Sequence, residues 1–371
     1  MERAEVVVVG AGLIGCSIAW RLAQRGHQVV LIDRGEPGAE ASSAAGGVLI
    51  PEAGGVSPPL LALYLRSLAQ YADFVQEVRE ATAAAVEYRA PGRLVLALDE
   101  PEETAMRRHG EAQRAAGIRV EWLSAEEVRG LEPAVTPDVR GANFFLDHSL
   151  VDNQRLGPTV AHAAARAGAA LRPHEAALQL ALEGGRVVGV ETVRGRIAAD
   201  RVVLAAGCWS SQLTPWLPGA TGPSKGEMIS LQATPRPIER IVSIAGASVA
   251  PRGDGRLLVG ATRTDWEHSR DVTADAVARM LTSARRMLPS LGTARFASAW
   301  AGLRPLTPDR EPILGPDRVE GLFWATGHLG MGILSAPATA DLVADLIDNR
   351  PTAIPLDRFS PSRFERTAAP A

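Results

Sequence analysis

The sequence predicts an α/β protein: a Rossmann-like, dinucleotide-binding parallel sheet with a second, smaller and mostly antiparallel β-sheet domain attached to it. Three observations lead there. Residues 5–33 read as a buried strand, a glycine turn, a helix and a second strand ending on an acid. Sequence of the same character returns from residue 152 onward. Two strand-rich blocks interrupt the alternation of strand and helix that a doubly wound sheet requires.

Val6, Val7, Val8 and Val9 form a β-branched run that is apolar on both faces, as suits the middle of a parallel sheet. Gly10, Gly12 and Gly15 follow in the GxGxxG spacing. The first permits the tight turn, the second a close approach of backbone to a pyrophosphate, and the third close packing of helix on strand. The helix predicted over 13–25 offers free N–H groups and a favourable dipole to phosphate, and Gly26 ends it. A strand over 28–32 delivers Asp33, whose carboxylate is placed to accept from an adenosine ribose. That acid disfavours NADP and leaves NAD and FAD both open.

The chain has 371 residues and a formal charge of -3. This length suits two domains, and the charge gives no basic footprint for nucleic acid or an anionic membrane. Cys16 and Cys208 are the only cysteines, so no disulfide framework or CxxC pair is expected, and a reducing cytoplasm is compatible. The apolar run over 6–20 is read as the phosphate loop rather than a signal peptide, because no positive excess precedes it. No transmembrane helix is expected, and residues 367–371 are expected to fray.

The small residues Ser42, Ser43, Ala44, Ala45, Gly46 and Gly47 read equally as a flexible linker or as backbone laid along something flat. An amphipathic helix is predicted over 60–84, with its aromatics in the core. Strand over 92–98, helix over 102–116, a capping box at Ser124 and strand over 141–146 make the first insertion. A helix over 152–168, a hairpin around Gly184 and Gly185, and a buried strand over 201–206 return to the nucleotide domain. Gly207, Cys208, Trp209 and Ser210 follow that strand, as a ligand-facing turn or a plain one. The second insertion carries strands over 227–231, 241–249 and 256–260, a helix over 274–288 and a strand near 296–300. A last helix over 335–349 begins among Gly327, Gly330 and Gly332, with Pro337 in its first turn. It is a second helix N-terminus suited to the electron-rich end of a ligand. The expected boundaries are 1–85, 146–222 and 300–371 for the nucleotide domain, and 86–145 and 223–299 for the other.

These pieces resemble, in order and over nearly the whole chain, the FAD-dependent amine and amino-acid oxidases of the D-amino-acid oxidase superfamily, and most closely the glycine oxidases of thiamine biosynthesis. The resemblance rests on the glycine motif with Asp33, residues 43–47, 202–209, 223–227 (PSKGE), 256–262, 300–305 and 327–338. It implies a GR2-type flavoprotein fold with non-covalent FAD. Gly10, Gly12, Leu13, Ile14 and Gly15 would hold the pyrophosphate, and Asp33 and Arg34 the ribose side. Ser42, Ser43, Ala45, Gly46 and Gly47 would run along the flavin, with Ala177 at the adenine and Gly207 and Trp209 bordering the cofactor. Gly330, Met331, Gly332, Ile333 and Leu334 would aim N–H groups at the flavin. Arg304 matches the arginine that binds the substrate carboxylate, through a planar fork suited to two charge-assisted bonds. Read alone, Arg304 is more often a surface residue paired with Asp309 or Glu311. His328 is read as structural.

The implied reaction is oxidative deamination of glycine or a related small amino acid or amine, giving a 2-oxo acid, ammonia and hydrogen peroxide, with oxygen or another acceptor taking the electrons. A D-amino-acid or secondary-amine dehydrogenase, and a flavin-binding subunit of a heteromeric oxidase with the helix over 60–84 as its interface, stand as alternatives. A homo-oligomer is allowed. Where glycine oxidases carry a histidine and an aromatic residue, this chain has Gly246 and Ser248, so Ser248 is a candidate pocket residue. Arg263 replaces an apolar position, either as a substrate contact or as a solvent-facing cation, and Gly330 replaces a bulkier residue. Metal ligands are not expected.

Overall fold

The computed structural model describes residues 2–365; the tail expected to fray lies outside them. Parallel strands Glu2–Val9, Val29–Ile32, Ala170–Arg172 and Leu322–Thr326 form the nucleotide sheet together with the long strand Gly195–Leu204. The hairpin Ala177–Glu183 and Arg186–Thr192 extends one edge, and Ile313–Pro316 pairs antiparallel with Leu322–Thr326. Val6, Val7 and Val8 are wholly buried at its centre.

Helix Leu13–Gln24 packs on one face of that sheet because Gly15 has no side chain; a Cβ there would lie 1.9 Å from the Gly10 carbonyl oxygen. Trp20, Tyr71 and Phe74 fill the interface between this helix and Pro58–Thr82, with edge-on ring contacts at 5.6 and 6.0 Å. Each such burial stabilises by about 1.5–3 kcal/mol. The apolar face of Pro58–Thr82 is therefore used within the chain, which removes the case for it as a subunit interface.

Helix Gly332–Ile347 begins three residues earlier than its spacing suggested, so Pro337 lies inside it. Proline removes the bond to the carbonyl four residues back, here Ile333, and Tyr71 Oη donates to that oxygen at 3.1 Å. Ser67 Oγ accepts from the Ala338 N–H next to it. The stretch Leu329–Ile347 is long and apolar enough to cross a membrane by length and composition, but two thirds of it (67%) is buried in the protein, as a core helix requires.

Among the described residues the second sheet has nine strands, against eight in the first. It is antiparallel except where Ile241–Ile244 lies parallel to Arg93–Ala97, and that pairing joins the two insertions into one sheet. The segment expected as a single strand over 241–249 is a hairpin, Ile241–Ile244 and Ala247–Pro251, turned at Gly246 with φ +79°. Strand Arg295–Leu306 pairs along its length with Gly222–Gln232, so the boundary expected at residue 300 falls inside a strand. The Ser124 capping box is formed, with both reciprocal bonds present.

Candidate active site

A cleft of about 440 Å³ lies between the two sheets. Gly10, Gly12, Leu13 and Ile14 form its floor, and Asp33, Arg34 and Ala177 one end. Gly10 takes φ +105°, and a Cβ there would lie 2.5 Å from the Ala205 carbonyl oxygen, so only glycine makes this turn. Both Asp33 oxygens accept backbone N–H groups, from Ala11 at 2.7 Å and Gly35 at 2.8 Å, which ties the second strand to the glycine turn. Arg34 lies over the Trp209 ring at 3.9 Å. Ser42 Oγ accepts from the Leu13 N–H at 2.9 Å; the remaining first-turn N–H groups of that helix have no intrahelical acceptor.

Residues 41–47 are not a flexible linker. Asn153 Nδ2 donates to the carbonyls of Ser42 at 2.7 Å and Ala45 at 2.9 Å, while Trp300 Nε1 donates to Ala44 at 2.9 Å. Arg252, buried, donates to Val151 O at 2.6 Å, Gly46 O at 2.7 Å and Asn153 Oδ1 at 2.9 Å. Burial pulls its pKa below the usual arginine range. Asn153 and Arg252 were not expected from sequence, because their partners lie about a hundred or more residues away. Ala45, Gly46 and Gly47 line the cleft, as do Gly207, Trp209, Gly330, Met331, Gly332 and Ile333. Gly15, Ser43 and Leu334 do not: Gly15 serves helix packing, Ser43 Oγ bonds the Glu40 carbonyl, and Leu334 lies in the core.

Arg304 lines the cleft, beside Gly330, whose absent Cβ would lie 3.8 Å from Arg304 Cδ. Asp309 pairs with Arg363 and Glu311 with Arg358, so neither neutralises Arg304. Its Nη1 donates to the carbonyls of Lys225 and Thr262 at 3.3 and 3.2 Å. Among the described residues, Nε and Nη2 have no hydrogen bond and no carboxylate lies within ion-pair distance. Burial, and then the nearby Arg263 charge, lower the Arg304 pKa. The result is a half-buried cation with one side of its fork free.

Arg263 does not line the cleft. Its Nε is held by Asp265 at 2.9 Å, and Asp265 also takes Arg310 at 3.0 Å and Ser224. Ser248 does line it, whereas Gly246 sits in the hairpin turn.

His328 is buried below the second glycine-rich helix start, 3.1 Å from Thr339 Oγ1, and burial lowers its pKa to about 3. His148, stacked on Phe145 at 4.5 Å, is likewise lowered to about 3, by burial first and then by the Arg93 charge. Both are neutral in the fold and become cations on unfolding at low pH, so the stability they contribute is complete above about pH 6.5 and lost as pH falls toward 3. Melting temperature is expected to fall between pH 7.5 and 5, by roughly 2 kcal/mol of stability per histidine at pH 5. His328→Gln is expected to flatten part of that slope; an unchanged slope would remove His328 as a contributor. No cluster of three or more metal-ligating side chains occurs among the described residues.

A glycine-turn cradle running into a roofed cavity with a guanidinium that no carboxylate neutralises is the arrangement of a dinucleotide-dependent oxidoreductase. The chain belongs to the FAD dependent oxidoreductase family, whose model matches residues 5–346. It is 35% identical to the glycine oxidase of Geobacillus kaustophilus over 370 residues, 98% of this chain and 97% of that one. The crystal structure of glycine oxidase from that organism superposes with a TM-score of 0.93 at 34% identity, covering 98% of this chain and 99% of that one. The bifunctional protein ThiO/ThiG of a Synechocystis strain is 34% identical over 99% of this chain and 55% of its own length. The residues present fit FAD: the glycine cradle closes if a Cβ is added, the cleft runs unbroken from Asp33 to Met331, and two helix N-termini face it.

Proposed function

We propose that this chain oxidises glycine or a related small amine-bearing acid to its imine, which water hydrolyses to a 2-oxo acid and ammonia, while oxygen takes the two electrons and becomes hydrogen peroxide. Bound FAD supplies the two-electron acceptor. The observation that carries the reading is the free side of the half-buried Arg304 fork, in the same cleft as the glycine cradle. A substrate carboxylate there gains two charge-assisted bonds in a site of low dielectric, and the pairing fixes the neighbouring carbon and its amine. Met228, Ile50 and Leu258 give the cavity an apolar wall that excludes water. Gly330, Gly332 and Ile333 place a helix N-terminus where negative charge is favoured.

For the cofactor, we assign the pyrophosphate to the first-turn N–H groups after Gly12, and the ribose to the lone pairs that Asp33 keeps beyond its two backbone bonds. The two cysteines, buried and unpaired, suit a reducing cytoplasm. The likeness to glycine oxidases and to ThiO/ThiG supports an amino-acid substrate and a place beside thiamine biosynthesis. The test is anaerobic bleaching of the bound flavin by glycine, sarcosine, D-alanine, D-proline, D-aspartate and iminodiacetate. Bleaching by at least one, with peroxide formed under air, is the expected result. No bleaching by any would overturn the proposal, and dye reduction without peroxide would replace the oxidase by a dehydrogenase.

A further inference from the structure

The sheet face turned to the cleft carries an apolar cluster of Met228, Ile241, Ala250 and Leu258, packed with Val48 and Trp300. One polar stripe crosses it. Ser248 Oγ lies 2.8 Å from Ser243 Oγ, Ser243 Oγ accepts from Arg93 Nε at 2.9 Å, and Arg93 Nη1 is paired with Glu52. Of these four, Ser248 alone lines the cleft.

The proton positions follow from satisfaction. Ser243 is 0% exposed, and among the described residues its hydroxyl has just these two partners. Arg93 is a donor only, so the Ser243 proton has one acceptor, Ser248 Oγ. The opposite direction would bury an O–H with no partner. Ser248 therefore accepts from behind, and its own proton is turned toward the cleft. A guanidinium at the head of the chain polarises each link and strengthens the last donor.

Ser248 stands opposite Gly260, and Gly260 opposite Met228. The Arg304 guanidinium lies over Gly226, two residues along from Met228. The two donors are thus two strands across and two residues along from one another, roughly 12 Å by inter-strand spacing and rise. Arg263, the other cation considered for a second contact, is engaged by Asp265.

We propose that Ser248 is a specificity-determining residue that donates to a second oxygen acceptor, best a second carboxylate, on a substrate whose first carboxylate sits on Arg304. The substrate class is then an amine dicarboxylate longer than glycine, and Arg93 and Ser243 are positioning residues behind the contact. This rests on the amine-oxidation reading above.

The test is steady-state kinetics of the FAD-loaded full chain with glycine and with iminodiacetate and D-aspartate, for the wild type, Ser248→Ala and Ser248→Thr. The ratio of kcat/KM for the better dicarboxylate to that for glycine is expected to fall about tenfold in Ser248→Ala, or about 1.4 kcal/mol. The fall is expected in KM rather than kcat, and Ser248→Thr, which keeps the hydroxyl, is expected to restore the ratio. An unchanged ratio overturns the proposal. So does an equal loss with all substrates, which would make Ser248 structural or a cofactor contact, and so does a wild type that oxidises glycine but neither dicarboxylate. A wild type whose flavin no amine bleaches overturns the amine-oxidation reading itself, and this proposal with it.

Discussion

Replacing Arg304 by alanine is expected to lower kcat/KM on carboxylate-bearing amines by about 10²–10³-fold, with FAD still bound. Two hydrogen bonds to a charged group contribute roughly 1.5–3 kcal/mol each, and the lower part of their sum, about 3–4 kcal/mol, corresponds to that factor. Retention of the flavin is expected because, among the described residues, Arg304 hydrogen-bonds to the Lys225 and Thr262 carbonyls and to no residue of the glycine cradle. Arg304→Lys is expected to recover little, since a point charge lacks the planar fork. A neighbouring substitution gives an independent check: a Cβ on Gly226 would lie 2.2–2.4 Å from the Arg304 guanidinium atoms, so Gly226→Ala is expected to displace the fork and raise KM about tenfold or more. Wild-type kinetics in both variants would remove Arg304 from the substrate site.

Arg252→Met is expected to cost about 3–5 kcal/mol of stability and to reduce the flavin that copurifies with the chain. Removing this buried cation strands Val151 O, Gly46 O and Asn153 Oδ1 at once, and leaving one side of a buried charged network unpaired is costly. Asn153, no longer held, is the residue that pins the carbonyls of Ser42 and Ala45. Loop 41–47 would then lose the shape that lines the cleft. Thermal unfolding followed by circular dichroism, together with the ratio of flavin to protein absorbance, checks both effects. A variant with unchanged melting temperature and full flavin content would show that the loop holds itself.

The pieces that could be read directly were those whose partners are near in sequence. Val6 to Val9, the three glycines and Asp33 lie within one strand, turn, helix and strand unit, and the structure places them as their spacing implies. Ser124 and Glu127 close their capping box three residues apart. Errors arose where a distant contact overruled local preference. Strand character over 241–249 is continuous in composition, yet the chain turns at Ala245 and Gly246 and its two halves pair with different strands, Ile241–Ile244 with the distant Arg93–Ala97 and Ala247–Pro251 with Arg256–Gly260. Pro337 signals a helix start, yet the helix begins at Gly332 because Tyr71, from another helix, takes the carbonyl that proline frees.

Among the site residues, the resemblance favours Arg304 as the carboxylate contact and leaves Arg263 open between substrate and solvent. The fold engages Arg263 with Asp265 and, among the described residues, leaves Arg304 without an acid within ion-pair distance. By itself the sequence determined the dinucleotide cradle, the alternation that builds the first sheet and the ordered motifs that mark the family, because each depends on spacings of a few residues. The tertiary structure alone decided which guanidinium stays free, that Asn153 and Arg252 shape the loop at the cleft, and which way the Ser248 proton points. Those outcomes depend on burial and, for the loop and the serine, on pairings across about a hundred or more residues, where the cost of an unsatisfied polar group, rather than local propensity, selects the arrangement.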